Sequence, residues 1–159
     1  MSKKPETLFS NQLIKNLNEV FWTRIENKHG GGVPDLYCTY NNKSAFLELK
    51  IKTKQNKVLI SPLQISWNFK HFQQNPINYY LVSAPRRAII ELYDGDKGRE
   101  LLENADEVRA SLSFDRDTST ICSGTTSSGL ASLGLLYLAG SLRSPVPYLV
   151  CVDRGTYYM

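Results

Sequence analysis

The strongest constraint on the fold lies between Val33 and Lys50, VPDLYCTYNNKSAFLELK, where apolar and polar residues alternate on both sides of Asn41-Asn42. A period of two belongs to a strand with one buried face, and an Asn pair tolerates the backbone angles of a two-residue turn. The stretch predicts a β-hairpin with Tyr37 opposite Phe46, Asp35 opposite Glu48 and Val33 opposite Lys50. Glu48 and Lys50 then share a face, and Leu49 points to the other. Two carboxylates opposed across strands repel and raise each other's pKa unless a cation lies between them. A divalent metal held by oxygen ligands is the natural cation for such a pair.

The 159 residues fit one domain with a real core, and 42% hydrophobic with 21% charged residues is ordinary for a globular chain. The net charge of +4 is unevenly placed. Residues 43 to 57 carry Lys43, Lys50, Lys52, Lys54 and Lys57 against the single acid Glu48. Such a strip suits a polyanion approaching a metal site. Taken alone, it is explained by an edge strand whose lysines block aggregation. Cys38, Cys122 and Cys151 are odd in number, far apart and without CxxC spacing, which argues against a disulfide framework or zinc site and for a reducing, intracellular, cytoplasmic setting. The first residues lack the apolar core of a signal peptide, and the run from Gly129 to Leu142 is too short to span a membrane.

Along the chain, Glu6 to about Leu17 has the apolar spacing of an amphipathic helix, with Pro5 at its start. Val20 to Glu26 reads as a strand, and His29-Gly30-Gly31-Gly32 as a loop, either a plain connector or a place where backbone approaches a ligand. Ser61-Pro62 opens a helix that should end before Asn75-Pro76. Leu63, Ile65, Trp67, Phe69 and Phe72 are expected to face the sheet, with Gln64, Asn68 and His71 as a polar stripe elsewhere. Asn78 to Ser83 and Ala88 to Tyr93 read as strands, and Lys97 to Asn104 as a short helix. From residue 106 to 159 the periodicity fades; a buried helix at Leu133 to Leu142 and a strand at Tyr148 to Val152 are the only readings there. The division expected is a core at 1–105 and an extension at 106–159 packed on the same domain.

GVPDLY, FLELK and SPLQISW, in this order between a first helix and a further strand, resemble the PD-(D/E)XK nuclease superfamily, and within it the virus-type replication-repair (VRR-NUC) nucleases of phages, relatives of Holliday junction resolvases. The resemblance covers roughly Glu6 to Tyr93. It implies an α/β fold with a restriction-endonuclease-like core, a mixed central sheet of about four or five strands flanked by helices. It also implies a Mg²⁺-dependent DNA endonuclease of replication, recombination or repair, with Mn²⁺ able to substitute. The substrate would be DNA, branched or nicked, and a homodimer would supply two related cuts.

By the same resemblance, the metal ligands are Asp35, Glu48, the Leu49 carbonyl and an acid of the first helix, Glu6 with Glu19 as the alternative. Mg²⁺ favours such hard oxygen donors, activates water and neutralises charge on phosphate oxygens. Lys50 would orient the water or stabilise the transition state, and Gln64 would hold water or phosphate. Lys52, Lys54, Lys57, Arg86 and Arg87 are candidate backbone contacts to DNA. His29 is read as an exposed loop residue, and Trp67 and Phe72 as core. Two further readings stay open: a non-catalytic nucleic-acid-binding module with the same fold, and a restriction-type enzyme whose specificity elements would lie in residues 106 to 159.

Overall fold

The computed structural model describes residues 4–17, 20–26, 31–40, 42–85, 89–115 and 121–124. They form an α/β unit: α1 (Pro5–Asn16), β1 (Phe21–Arg24), β2 (Leu36–Tyr40), β3 (Lys43–Ile51), α2 (Pro62–Gln74), β4 (Asn78–Ala84), β5 (Ile89–Asp94), a 3₁₀ turn (Gly95–Lys97), α3 (Gly98–Asn104), β6 (Leu112–Asp115) and β7 (Ile121–Gly124). The strands lie in one open sheet in chain order. Every neighbouring pair is antiparallel except β3 and β4, which run parallel. A parallel pair needs a crossover, and α2 supplies it.

The β2–β3 hairpin has the expected register. Tyr37 pairs with Phe46 and Tyr40 with Lys43, which closes a turn whose Asn42 has φ 60°. That angle lies in the left-handed region, which Asn tolerates better than most side chains. Alternation then sorts the two faces. Leu36, Cys38, Leu47, Leu49, Tyr79, Leu81 and Leu92 join Phe9, Leu13 and Leu17 of α1 in one apolar core. On the other face Val58, Ile60, Tyr80, Val82 and Tyr93 pack with Leu101 and Ala105 from the end of α3. The sheet is thus covered on both sides, and β4 is buried along its whole length.

Two expectations are corrected. The described sheet has seven strands, not four or five, because β6 pairs with β5 and β7 with β6 beyond residue 105. These strands are four residues each, too short for a period to stand out from their Ser and Thr. The orientation of α2 also differs. Asn68 is fully buried, whereas Leu63 and Phe69 are 61% and 50% exposed. The sheet beneath α2 presents Glu48, Lys50 and Asn78, so Gln64 and Asn68 turn inward to satisfy them, while His71 stays exposed and Ile65 packs on the sheet as expected. The readings at Leu133 to Leu142 and Tyr148 to Val152 lie outside the described residues. Among the described residues no helix is long and apolar enough to cross a membrane.

Candidate metal and phosphate site

Asp35 stands one residue before β2, and its carbonyl accepts the Ile25 N–H at 3.0 Å. That contact with the chain just past β1 holds Asp35 in line with the hairpin. Its Oδ2 accepts the Leu49 N–H at 2.8 Å, which points the carboxylate at β3. Glu48 lies mid-way along β3, beside Tyr80 of β4, and only 1% of it is exposed. Lys50, two residues on, shares its face, and its Nζ sits 3.1 Å from Glu48 Oε1.

Gln64 completes the arrangement from α2. Ser61 caps that helix, its Oγ accepting the Gln64 N–H at 3.2 Å, and Gln64 Oε1 in return accepts the Ser61 N–H at 3.0 Å. This reciprocal capping box fixes the start of the helix and the Gln64 rotamer together. The same Oε1 accepts from Lys50 Nζ at 3.1 Å, and Gln64 Nε2 donates to Glu48 Oε1 at 2.5 Å. Glu48, Lys50 and Gln64 therefore form a closed hydrogen-bonded ring.

The remaining oxygen of Glu48 is the exception. Oε2 is buried without a hydrogen-bond partner. Burial first, and the Asp35 charge second, push the Glu48 carboxyl up to about 7, with Lys50 pulling the other way. That the Asp35 carboxylate raises the Glu48 pKa shows that the two acid groups face the same site. An acceptor-only oxygen left bare in a buried setting, next to a second carboxylate, is a costly arrangement. A cation between the two would remove both the orphan and the repulsion.

Three buried residues hold α2 in place, Asn68 of the expected polar stripe and, unforeseen, Asn78 and Tyr80. Asn78 Nδ2 donates to Asn68 O at 2.7 Å and to Asn68 Oδ1 at 2.9 Å, while Asn68 Nδ2 donates to Gln64 O at 3.0 Å. The Tyr80 hydroxyl reaches the same Gln64 carbonyl at 3.4 Å, and burial followed by the Glu48 charge raises its pKa. The available signal was the polar spacing Gln64–Asn68, one helical turn apart. Two glycines make room. A Cβ on Gly32, whose φ is +97°, would fall 2.3 Å from the Leu63 carbonyl oxygen, and one on Gly98 would fall 2.3 Å from the Tyr80 hydroxyl. Gly31 and Gly32 thus lie against Leu63 in the first turn of α2.

The other candidates divide. Lys54 and Lys57 are exposed in a turn closed by the Thr53 N–H to Lys57 O bond of 2.9 Å. Lys52 does not belong with them: it is 6% exposed and its Nζ lies 2.8 Å from Glu91 Oε2. That contact is an ion pair without hydrogen-bond alignment, since Oε2 has no donor aimed at it. A lysine buried against a carboxylate is not offered to a phosphate. Glu6 is not brought to Asp35 and Glu48 either. α1 packs on the opposite face of the sheet, and among the described residues no group of three or more His, Cys, Asp or Glu forms that could hold a metal. Glu19, His29, Arg86 and Arg87 lie outside the described residues. Trp67 and Phe72 are half-buried rather than core. Cys38 is buried, and burial pushes its thiol up to about 12, which leaves it unreactive. No protein-family model and no curated protein matches the chain.

Proposed function

We propose that this protein is a divalent-metal-dependent DNA endonuclease with a PD-(D/E)XK, restriction-endonuclease-like core, working in the cytoplasm on branched or nicked DNA in replication, recombination or repair. The observation that carries the reading is Glu48 Oε2, buried and unpartnered beside the carboxylate of Asp35. A pure binding surface gains nothing from two such groups, whereas a hard cation requires them.

The donor set fits Mg²⁺ or Mn²⁺, which one or two carboxylates hold while water and substrate phosphate supply the rest. Asp35 and Glu48 would be the carboxylate ligands, with the Leu49 carbonyl as the third donor that the sequence resemblance implies. When bound, the ion supplies positive charge to the scissile phosphate and acidifies water. The chain's own residues do the remainder. Lys50 carries donors on the same face as Glu48 and stabilises the negative charge that builds on the phosphate oxygens. Gln64, already locked by its capping box, offers an amide that both accepts and donates, and it orients the attacking water along the line set by Lys50 and Glu48. Lys54 and Lys57 give exposed positive charge for the DNA backbone.

The test is incubation with linear, flapped and four-way DNA in Mg²⁺ or Mn²⁺, beside Asp35→Ala and Lys50→Ala. Cutting that needs the metal and is lost in both variants supports the reading. DNA that is bound in a salt-dependent manner but never cut identifies a binding module instead, and full activity in EDTA overturns the metal.

A further inference from the structure

We propose that the aromatic file beginning at this site is a stacking platform for unpaired bases, so that the DNA engaged is single-stranded on one side of the scissile phosphate; this rests on the nuclease reading above. Three of the site residues, Asp35, Glu48 and Gln64, each have an aromatic side chain next along the same face. Tyr37 follows Asp35 on the same face of the hairpin, Phe46 precedes Glu48, and Trp67 lies one helical turn beyond Gln64. The rings touch in series. Tyr37 and Phe46 are 4.9 Å apart and tilted, Phe46 and Trp67 meet edge to face at 5.8 Å, and Trp67 stacks on His71 at 3.8 Å with 23° between planes. Offset and edge-to-face contacts of this kind are favourable in themselves, but these rings are not in a core. Tyr37, Phe46 and Trp67 are half-buried and His71 is exposed.

The occupant follows from charge and geometry together. Lys54, Lys57 and Lys70 are exposed, and α2 carries no acid. A basic partner would be repelled and a purely apolar one would make no use of the charge; among anionic partners, one bearing flat rings uses the aromatic file as well. His71 has one ring face against Trp67 and stands exposed at the end of the file, so a base can continue the stack. Aromatic platforms beside positive charge hold single strands in a sequence-tolerant way, because every base has a π-face. In a duplex the bases are already stacked on one another, and the platform has nothing to take.

The experiment is titration of the full chain with fluorescein-labelled oligothymidylate and with blunt duplex of equal length, without divalent ions, for wild type, His71→Ala and Trp67→Phe. His71→Ala removes an exposed side chain and keeps the fold, and it should weaken single-strand binding about fivefold, the low end for one lost base stack, with duplex binding unchanged. In a Trp22→Phe protein, where Trp67 is the remaining tryptophan, the single strand should quench its emission saturably and the duplex should not. Equal affinity of His71→Ala and wild type for the single strand, or an equal loss on both DNAs, overturns the platform. Metal-dependent cutting is read in parallel. Cutting with no His71 effect overturns the platform and leaves the nuclease reading standing; a His71 effect with no cutting supports the platform and overturns the nuclease reading.

Discussion

The raised pKa of Glu48 makes the metal-free protein's stability depend on pH in a direction opposite to that of most acid groups. In the folded chain the carboxyl titrates at about 7, against 4.5 for an unperturbed group. The native state therefore binds this proton more tightly than the unfolded chain does. Below about 4.5 both states hold it, between about 4.5 and 7 only the native state does, and stability falls as pH rises through that window before levelling off. At about 1.4 kcal/mol for each tenfold, the displacement from 4.5 to about 7 corresponds to about 3 kcal/mol. Glu48 is 1% exposed, so solvent does little to screen it. Urea unfolding in EDTA at pH 5 and pH 8 measures the difference, and thermal midpoints should move by about 6–12 °C for a chain of this size. Asp94, whose pKa burial also raises, contributes with the same sign. Glu48→Gln, which keeps the shape and cannot ionise, isolates the Glu48 share: the variant should equal or exceed wild type at pH 8 and lose most of the pH dependence. Saturating Mg²⁺ should stabilise wild type more at pH 8 than at pH 5. Identical pH dependence in wild type and Glu48→Gln would refute the reasoning.

Other outcomes follow from the same contacts. Asp35→Ala, Glu48→Ala and Lys50→Ala should each abolish metal-dependent DNA cleavage in a gel assay while circular dichroism shows an intact fold. Gln64→Ala should lower the cleavage rate and, by removing half of the capping box, cost about 1 kcal/mol of stability in denaturant titration. Asn68→Leu should destabilise by about 1–3 kcal/mol, because two buried side-chain hydrogen bonds go, from Asn78 Nδ2 to Asn68 Oδ1 and from Asn68 Nδ2 to the Gln64 carbonyl, although the residue-68 carbonyl still accepts from Asn78. Lys52→Met should cost about 3 kcal/mol by stranding Glu91, whereas Lys54→Ala should leave stability unchanged and weaken DNA binding at low salt.

The hairpin was legible because its signals agree: strict alternation, an Asn pair at the turn, and a register that follows once the turn is placed. The start of α2 was equally legible, since Ser61, Pro62 and Gln64 are local capping chemistry that needs no tertiary context. Its packing face was not. Apolar residues normally mark the buried side, but the sheet beneath α2 presents Glu48, Lys50 and Asn78, and their need for partners outweighed the burial of Leu63 and Phe69. Lys52 was misread for a related reason. A lysine strip looks solvated until the partner two strands away, Glu91, is known. Glu6 was placed by resemblance, and the packing of α1 on the opposite face gives it no route to the pair through the described contacts. The strands at Leu112 and Ile121 escaped notice because four residues hold too few repeats to establish a period.

The central claim, that Asp35 and Glu48 together hold a divalent cation at the cutting site, is tested most directly by electron paramagnetic resonance of Mn²⁺ titrated into the protein with flapped DNA present. Wild type should retain one tightly held ion per chain, and Asp35→Ala and Glu48→Ala should each lose it. Equal Mn²⁺ retention by all three proteins, or none by wild type, would contradict the account.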